Sequence, residues 1–401
     1  MNEHITSRSA AEALGSSRGQ CSAWLLRAGK TRNDGPTTLE RGELPIEAPG
    51  PGEVLVAPLY GCWEGNMGHA LARDPVDIAR LRREQAIVIG NAGVVRVLEL
   101  GPEVTEFAVG DAAMTFPSGV QDEVGYMIKA RGFDAPHQRG LLAERVTMRA
   151  DQLLPIRRDS RLTLLQWAAF SVRYVTAWSN WELAKGVFRL QMSEADRPVI
   201  RAWGWGGGTS LAELDLARRE GCETVMISGS DVNLGVIERT GVRPLDRRRY
   251  PGLLWDAARH EADAEYRNAH GKAKREFLAT VAEQTAGCGV DIFLDYIGEP
   301  VYELTLRALA RQGVIATAGW KSQTQVSHSR AQECILRHQH VYTHYARRAQ
   351  GLAAMAYAEQ SGWAPEVAPT VYGFDEIPQL ARAYAEGEVH YFTCYAINQD
   401  V

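Results

Sequence analysis

Between Pro198 and Cys222 the chain reads PVIRAWGWGGGTSLAELDLARREGC: an apolar run, a cluster of glycines and a helical stripe in immediate succession. Val199, Ile200 and Ala202 suit a strand covered on both faces. Gly204 to Gly208 allow a tight turn, and Leu211, Leu214 and Ala217 recur at helical spacing. The expected structure is half of a βαβ unit. A turn without side chains that opens a helix lets a pyrophosphate reach backbone N–H groups at the positive end of the helix dipole. Gly204, Gly207 and Ser210 put a small residue at every third position, with Gly206 and Gly208 as extra slack. Gly204, Gly207, Gly208, Thr209 and Ser210 are therefore the candidate dinucleotide contacts. Ser210 departs from the last glycine of that fingerprint but still permits close packing of helix on strand.

A chain of 401 residues, 45% hydrophobic and 23% charged, has room for two domains and a sizeable core. Its net charge of −5 argues against a dominant nucleic-acid face. Neither a signal peptide nor an 18-residue apolar run is evident, so no membrane span is expected and the expected location is the cytoplasm. The six cysteines are scattered without a C-x-x-C pair, which points to neither a structural zinc site nor a disulfide framework.

Residues 1–20 are polar and aperiodic and read as a mobile arm. From Cys21 the text becomes short apolar runs punctuated by Pro and Gly, the grammar of a small barrel. It turns helical at Leu162, where LTLLQWAAFSVRYVTAWSNWELAKG bridges to the glycine-turn region; Trp167, Trp178 and Trp181 there suit either core or pocket. Further strands are expected at TVMIS, at Gly289–Gly298 and at Gly313–Gly319 in a parallel sheet, with a solvated surface helix over 252–283. A helix near 376–386 and a short strand, HYFTCYAIN, close the chain and return to the barrel. This divides it into 21–175 with 350–401, and 176–349.

The sequence of barrel, bridge, nucleotide unit and return resembles the medium-chain dehydrogenase/reductase superfamily over about residues 21–398. That resemblance implies an α/β fold: a GroES-like β-barrel catalytic domain plus a Rossmann doubly wound parallel-sheet domain. Its zinc alcohol dehydrogenases carry Gly-His-Glu where this chain has Gly90-Asn91-Ala92. With Cys62 lacking a histidine partner, no metal site is expected. Closer phrases are similar to the crotonyl-CoA (enoyl-CoA) carboxylase/reductase family. Tyr342-Thr-His344-Tyr-Ala-Arg347 is similar to its Gly-Ser-His-Phe-Ala-Asn stretch, which implies a catalytic role for His344. Gly132-Phe133-Asp134 before Leu142-Ala-Glu144 is similar to its Gly-Phe-Glu before Leu-Ala-Glu, which implies that Phe133 and Asp134 help hold carbon dioxide. Asn66 falls at the Asn of its Asn-Tyr-Asn run. Asp134 is one methylene shorter than the family's Glu, and the loop after it is two residues longer.

The resemblance implies hydride addition to the C=C bond of an α,β-unsaturated acyl thioester, on coenzyme A or a carrier protein, with carbon dioxide as a further reactant and a homo-oligomeric assembly. Quinone or enone reduction, and nucleotide binding without turnover, are the alternatives; Ser210 and Trp205 within the glycine turn favour the latter. An enzyme preferring NAD places an acid at the end of the second strand. Here the residues are Ser228-Gly229-Ser230, and Arg247, after Leu245-Asp246, can reach the same pocket as a fork-shaped donor. Ser228, Ser230 and Arg247 thus point to a 2′-phosphate and to NADPH. Asp231 follows too late for the ribose, in a position suited to an N-cap.

Overall fold

The computed structural model describes residues 19–31, 34–322 and 325–398. The expected N-terminal arm falls, over residues 1–18, outside the described residues, whereas Gln20 already opens a strand.

The N-terminal part is mainly β. Strands β1 (Gln20–Arg27) and β2 (Glu40–Pro45) lead into β3 (Glu53–Cys62), helices α1 (Gly65–Ala72) and α2 (Ile78–Leu81), and strands β4 (Ala86–Ile87), β5 (Gly93–Leu100) and β6 (Ala112–Thr115). A hairpin of β7 (Ser118–Gln121) and β8 (Met127–Ala130) precedes β9 (Val146–Arg149) and β10 (Leu153–Pro155). Helices α3 (Leu164–Phe170) and α4 (Arg173–Gln191) then bridge to a second sheet. That sheet holds β11 (Arg201–Trp205), β12 (Glu223–Ser228), β13 (Arg243–Asp246), β14 (Val290–Asp295), β15 (Leu309–Thr317) and β16 (Gln339–Tyr342). Its helices are α5 (Gly208–Arg219), α6 (Asp231–Arg239), α7 (Ala257–Ala262), α8 (Ala264–Gln284), α9 (Glu299–Ala308) and α10 (Arg330–Leu336). The chain ends with α11 (Arg348–Ser361), β17 (Val371–Tyr372), α12 (Ile377–Glu386) and β18 (Cys394–Ala396).

Among the described residues, the second sheet is six-stranded and parallel in the order β13-β12-β11-β14-β15-β16. β11 and β14 lie at its centre, and helices cover both faces, the Rossmann arrangement. The other large sheet, antiparallel except for the parallel pair β17–β18, runs β10-β6-β5-β3-β18-β17, with β9 also on β3. This is the GroES-like part, and β18 returns to it as expected.

The pleat of β11 divides its side chains between two cores. Ala202 faces α4 and α5 in a core shared with barrel residues such as Leu59, Met114 and Phe116. Trp203 and Trp205 face α8 and α9 on the other side. Helix α8 is therefore more than a solvated surface helix: Phe277 stacks on Trp205 with ring centroids 5.3 Å apart, and Tyr266, Ala273 and Val281 are buried with it. The expectation for Val199 fails, because the strand starts at Arg201 and Val199 is exposed. Trp167 and Trp181 are wholly core. The expected division at 175/176 falls within α4.

Candidate functional site

The glycine turn is shaped by close approaches. Gly206 has φ +149, and a Cβ there would fall within 2.1 Å of Ser210 Oγ. Ser210 in turn donates to the Trp205 carbonyl at 3.3 Å, which ties the first turn of α5 to the strand end. Gly204 approaches so closely that a Cβ would lie 3.0 Å from Leu294 Cβ on β14. No side chain caps α5, its first turn carries no acid, and a Cβ at Gly207 would meet nothing within 4 Å. The first N–H groups of α5 are thus left for a ligand anion. Trp205 does not obstruct the turn, since its ring points into the opposite core and its Nε1 donates to Thr305 Oγ1 at 2.8 Å.

At the end of β12, Arg247 lies flat against Gly229: a Cβ on that glycine would be 2.6 Å from Arg247 Nε and 2.9 Å from Cζ. Ser228 ends the strand beside them, and Tyr391 sits close enough to bond Ser228 and feel the Arg247 charge. The expected N-cap role of Asp231 is corrected. Ser230 caps α6, accepting from Asn233 N, while Asp231 is the first helical residue and pairs with Arg248, which also holds Asp246. Both acids near β12 are therefore occupied by Arg248, and Arg247 remains beside the glycine.

Of the second group of predicted residues, His344 lines a cleft of about 560 Å³ between the β7–β8 hairpin, α4 and the loop after β16, whereas Asn66, Phe133 and Asp134 do not line it. Tyr126, Met127, Glu182, Thr343 and Tyr345 line it with His344. The His344 ring is near-parallel to Trp320 (17°, centroids 6.4 Å) and 3.9 Å from Tyr345. Partial burial lowers its pKa and so favours the neutral imidazole, opposed by a backbone hydrogen bond at Ala318 and the charge of Asp134. Asp134 is thus brought to His344 and Tyr345. One of its oxygens also accepts from Ala130 N at 2.6 Å, which pins the carboxylate within the turn that carries Phe133. Phe133 is partly buried, packed against the core that holds Ala202 and against a separate barrel core that includes Trp63, Val95 and Leu142.

Asn66 lies in α1, and its Oδ1 is buried without a partner among the described residues. Its helix reaches the His344 side through His69, whose Nε2 is 3.3 Å from the Trp320 carbonyl. Trp320 thus contacts His344 and, through His69, helix α1, and Asp134 lies within electrostatic reach of His344. The glycine turn, Ser228, Ser230 and Arg247 form a separate group along the C-terminal edge of the parallel sheet.

Two buried polar clusters were missed. In the first, Arg173 extends from α4 under the glycine turn, where a Cβ on Gly208 would be 3.0 Å from its Cδ. Its Nε is 3.1 Å from Glu64 Oε2, its Nη1 donates to Cys62 Sγ at 2.9 Å and its Nη2 to the Trp63 carbonyl at 2.6 Å. One guanidinium here faces two buried acids. Burial pushes Glu64 well above the carboxylate range against the Arg173 charge. For Cys62, burial is outweighed by the hydrogen bond from Cys394 and by Arg173, and its thiol falls to about 7. No group of three or more His, Cys, Asp and Glu placed to hold a metal occurs among the described residues.

The second cluster connects α5 to the cleft. Thr343 Oγ1 donates to Asn180 Oδ1 at 2.7 Å, Asn180 Nδ2 donates to Glu213 Oε1 at 3.1 Å, and Tyr296 OH donates to Glu213 Oε2 at 2.9 Å. Burial raises Glu213 from its ordinary 4.5 to about 8, against the bonds from Asn180 and Tyr296. The signal in the sequence was an acid amid LAELDLA, in a helix covered nearly all round. Between those two pH values the folded protein keeps a proton that the unfolded chain has released, so stability falls as pH rises. One proton contributes at most about 1.4 kcal/mol per pH unit. Glu213→Gln is expected to flatten the decline in stability between pH 5 and 8, as measured by urea unfolding; an unchanged slope would contradict a buried, protonated Glu213.

No family model matches the chain. Over 298 residues, 73% of its length, it is 30% identical to the phenolphthiocerol synthesis polyketide synthase type I Pks15/1 of Mycobacterium bovis. It is equally similar to the polyketide synthase Pks1 of Mycobacterium tuberculosis, whose name calls it inactive. The chain spans 11% and 14% of the length of these relatives. Among solved structures it is similar to the 2-octenoyl-CoA carboxylase reductase CinF in complex with NADP and 2-octenoyl-CoA, with TM-score 0.76 at 20% identity over 95% of this chain and 88% of that one. AibC gives 0.73 at 16% over 99% and 100%, and an alcohol dehydrogenase from Pyrobaculum aerophilum 0.70 at 18% over 94% and 100%. The fold is that of the medium-chain dehydrogenases/reductases. In this medium-chain dehydrogenase/reductase fold the barrel carries Asn66, Phe133 and Asp134, the parallel sheet carries the glycine turn, and the loop after β16 brings His344 between them. No described helix is long and apolar enough to cross a membrane.

Proposed function

We propose that this chain reduces the C=C bond of an α,β-unsaturated acyl thioester with NADPH, the acyl group being carried on coenzyme A or on an acyl carrier protein. Residues 21–175 and 350–401 then form the catalytic domain and 176–349 the nucleotide domain. The carrying observation is the Arg247 guanidinium laid on Gly229 at the end of β12, with the neighbouring Asp231 and Asp246 held by Arg248. A fork-shaped cation beside Ser228 and Ser230 suits a 2′-phosphate and offers nothing that favours free ribose hydroxyls. The uncapped start of α5 suits the pyrophosphate. Support for a thioester comes from the polyketide synthases and from the carboxylase reductase that binds 2-octenoyl-CoA.

When bound, the cofactor supplies the hydride. Addition at the β carbon leaves an enolate, which needs donors at its oxygen and then a proton or another electrophile at the α carbon. The His344 imidazole can relay that proton, taking one from water at one ring nitrogen as it gives one from the other. Phe133 keeps bulk water from the enolate, and Asn66 offers its buried amide to the reactant. Asp134 orients His344 through its charge.

NADPH is expected to bind at least ~10-fold tighter than NADH, a margin of about 1.4 kcal/mol, and Arg247→Ala should erase most of it. Calorimetric titration of both cofactors checks this, and equal affinity in the unaltered protein would remove Arg247 from a phosphate pocket. NADPH consumption with a panel of enoyl-CoA thioesters tests the reaction; binding without turnover on any of them would leave a nucleotide-binding protein.

A further inference from the structure

Strand β18 runs antiparallel to β3 with Cys394 opposite Cys62. Trp63 N donates to the Thr393 carbonyl at 3.0 Å, and Ile397 N to the Leu59 carbonyl at 2.9 Å. These two bonds set the alternation of the ladder. Pairs 63/393 and 59/397 are hydrogen-bonded, so Cys62 and Cys394 form a non-hydrogen-bonded pair, with Cα atoms about 4.5 Å apart and side chains on one face. Disulfides span Cα separations of about 4.4 to 6.8 Å, so this pairing lies within the range two sulfurs can bridge, at its short end. The Cys62 thiol donates to the Thr393 carbonyl at 3.4 Å beside Cys394, and Arg173 Nη1 rests on Cys62 Sγ. A cation beside one thiol of a facing pair is the environment that makes a thiolate available.

We propose that Cys62 and Cys394 are a reversible dithiol–disulfide site, oxidised by hydrogen peroxide. The Cys62 thiolate attacks a peroxide oxygen; the S–O bond forms, the O–O bond breaks, and Cys62 becomes a sulfenic acid with hydroxide released. The Cys394 sulfur then attacks the Cys62 sulfur, the S–S bond forms, the S–O bond breaks, and the Cys394 proton leaves with the departing hydroxide as water. In sum, two thiols lose two electrons and peroxide becomes two waters. A dithiol reductant reverses the step. Both sulfurs are buried, so the bridge should form more slowly than oxidation of the exposed Cys288 and Cys334.

The bridge would be sensed at the glycine turn. It takes away the sulfur on which Arg173 rests, and Arg173 packs under Gly208 and over Phe392. This consequence rests on the cofactor reading above, whereas bridging itself does not.

The test treats the full chain with hydrogen peroxide, blocks free thiols after unfolding, and maps cross-linked peptides by mass. A Cys62–Cys394 peptide that dithiothreitol removes is the expected result, with NADPH binding roughly tenfold weaker in the bridged protein and restored on reduction. In Cys394→Ser no bridge forms, dimedone traps Cys62 as the sulfenic acid, and peroxide leaves NADPH affinity unchanged. Free Cys62 and Cys394 after full oxidation of Cys288 and Cys334 would overturn the proposal. A bridge formed in a protein whose reduced form binds no NADPH would support the site and count against the cofactor reading.

Discussion

An Arg173→Met protein is expected to lose about 3–5 kcal/mol of unfolding free energy at pH 8, the usual cost of removing one partner from a buried ionic cluster. Arg173 is 6% exposed, and its guanidinium compensates the anion shared by Cys62 and Glu64 while donating to the Trp63 carbonyl. Without it both acids must stay protonated in the folded protein, since burial disfavours their charged forms. The unfolded chain releases those protons as pH rises, so the deficit should shrink toward pH 5 and grow toward pH 9. Urea unfolding across that range gives the curve directly. A midpoint equal to that of the unaltered protein at pH 8 would mean that the cluster stabilises nothing.

The second large effect concerns the fate of the enolate. Reaction with carbon dioxide instead of a proton needs an acid beside Phe133 to hold the gas in place, and the resemblance implies a Glu where this chain has Asp134. The structure adds a further restraint: one Asp134 oxygen is committed to Ala130 N within its own turn. A displacement of about an ångström in a positioned step can cost ~100-fold. The saturated, uncarboxylated acyl product should therefore dominate even with saturating bicarbonate and carbonic anhydrase. Asp134→Glu should raise the carboxylated fraction, while His344→Ala and Asn66→Ala lower it and leave NADPH binding intact. Product masses decide the matter, and a mostly carboxylated product from the unaltered protein would reverse the argument.

What the sequence by itself determined about this protein is what short-range physics can carry. The turn between β11 and α5 is written in consecutive residues, because a strand period, a positive φ at Gly206 and a helical stripe are local properties. The order of strands and helices, and the absence of an acid at the end of β12, could be read the same way. Even there, small local misreadings arose. The cap falls on Ser230, which has the extended backbone, while Asp231 is already helical and pairs with Arg248, and α8 buries Phe277 against Trp205. Only the tertiary structure decided the contacts between distant segments. Cys62 meets Cys394 because β18 comes back to β3. Arg173 lies under the glycine turn because α4 crosses from barrel to sheet, and Thr343 reaches Glu213 only through Asn180 on that helix. No periodicity links such residues, since their pairing energy depends on burial and on charge in a low-dielectric interior, and both exist only once the chain has closed on itself.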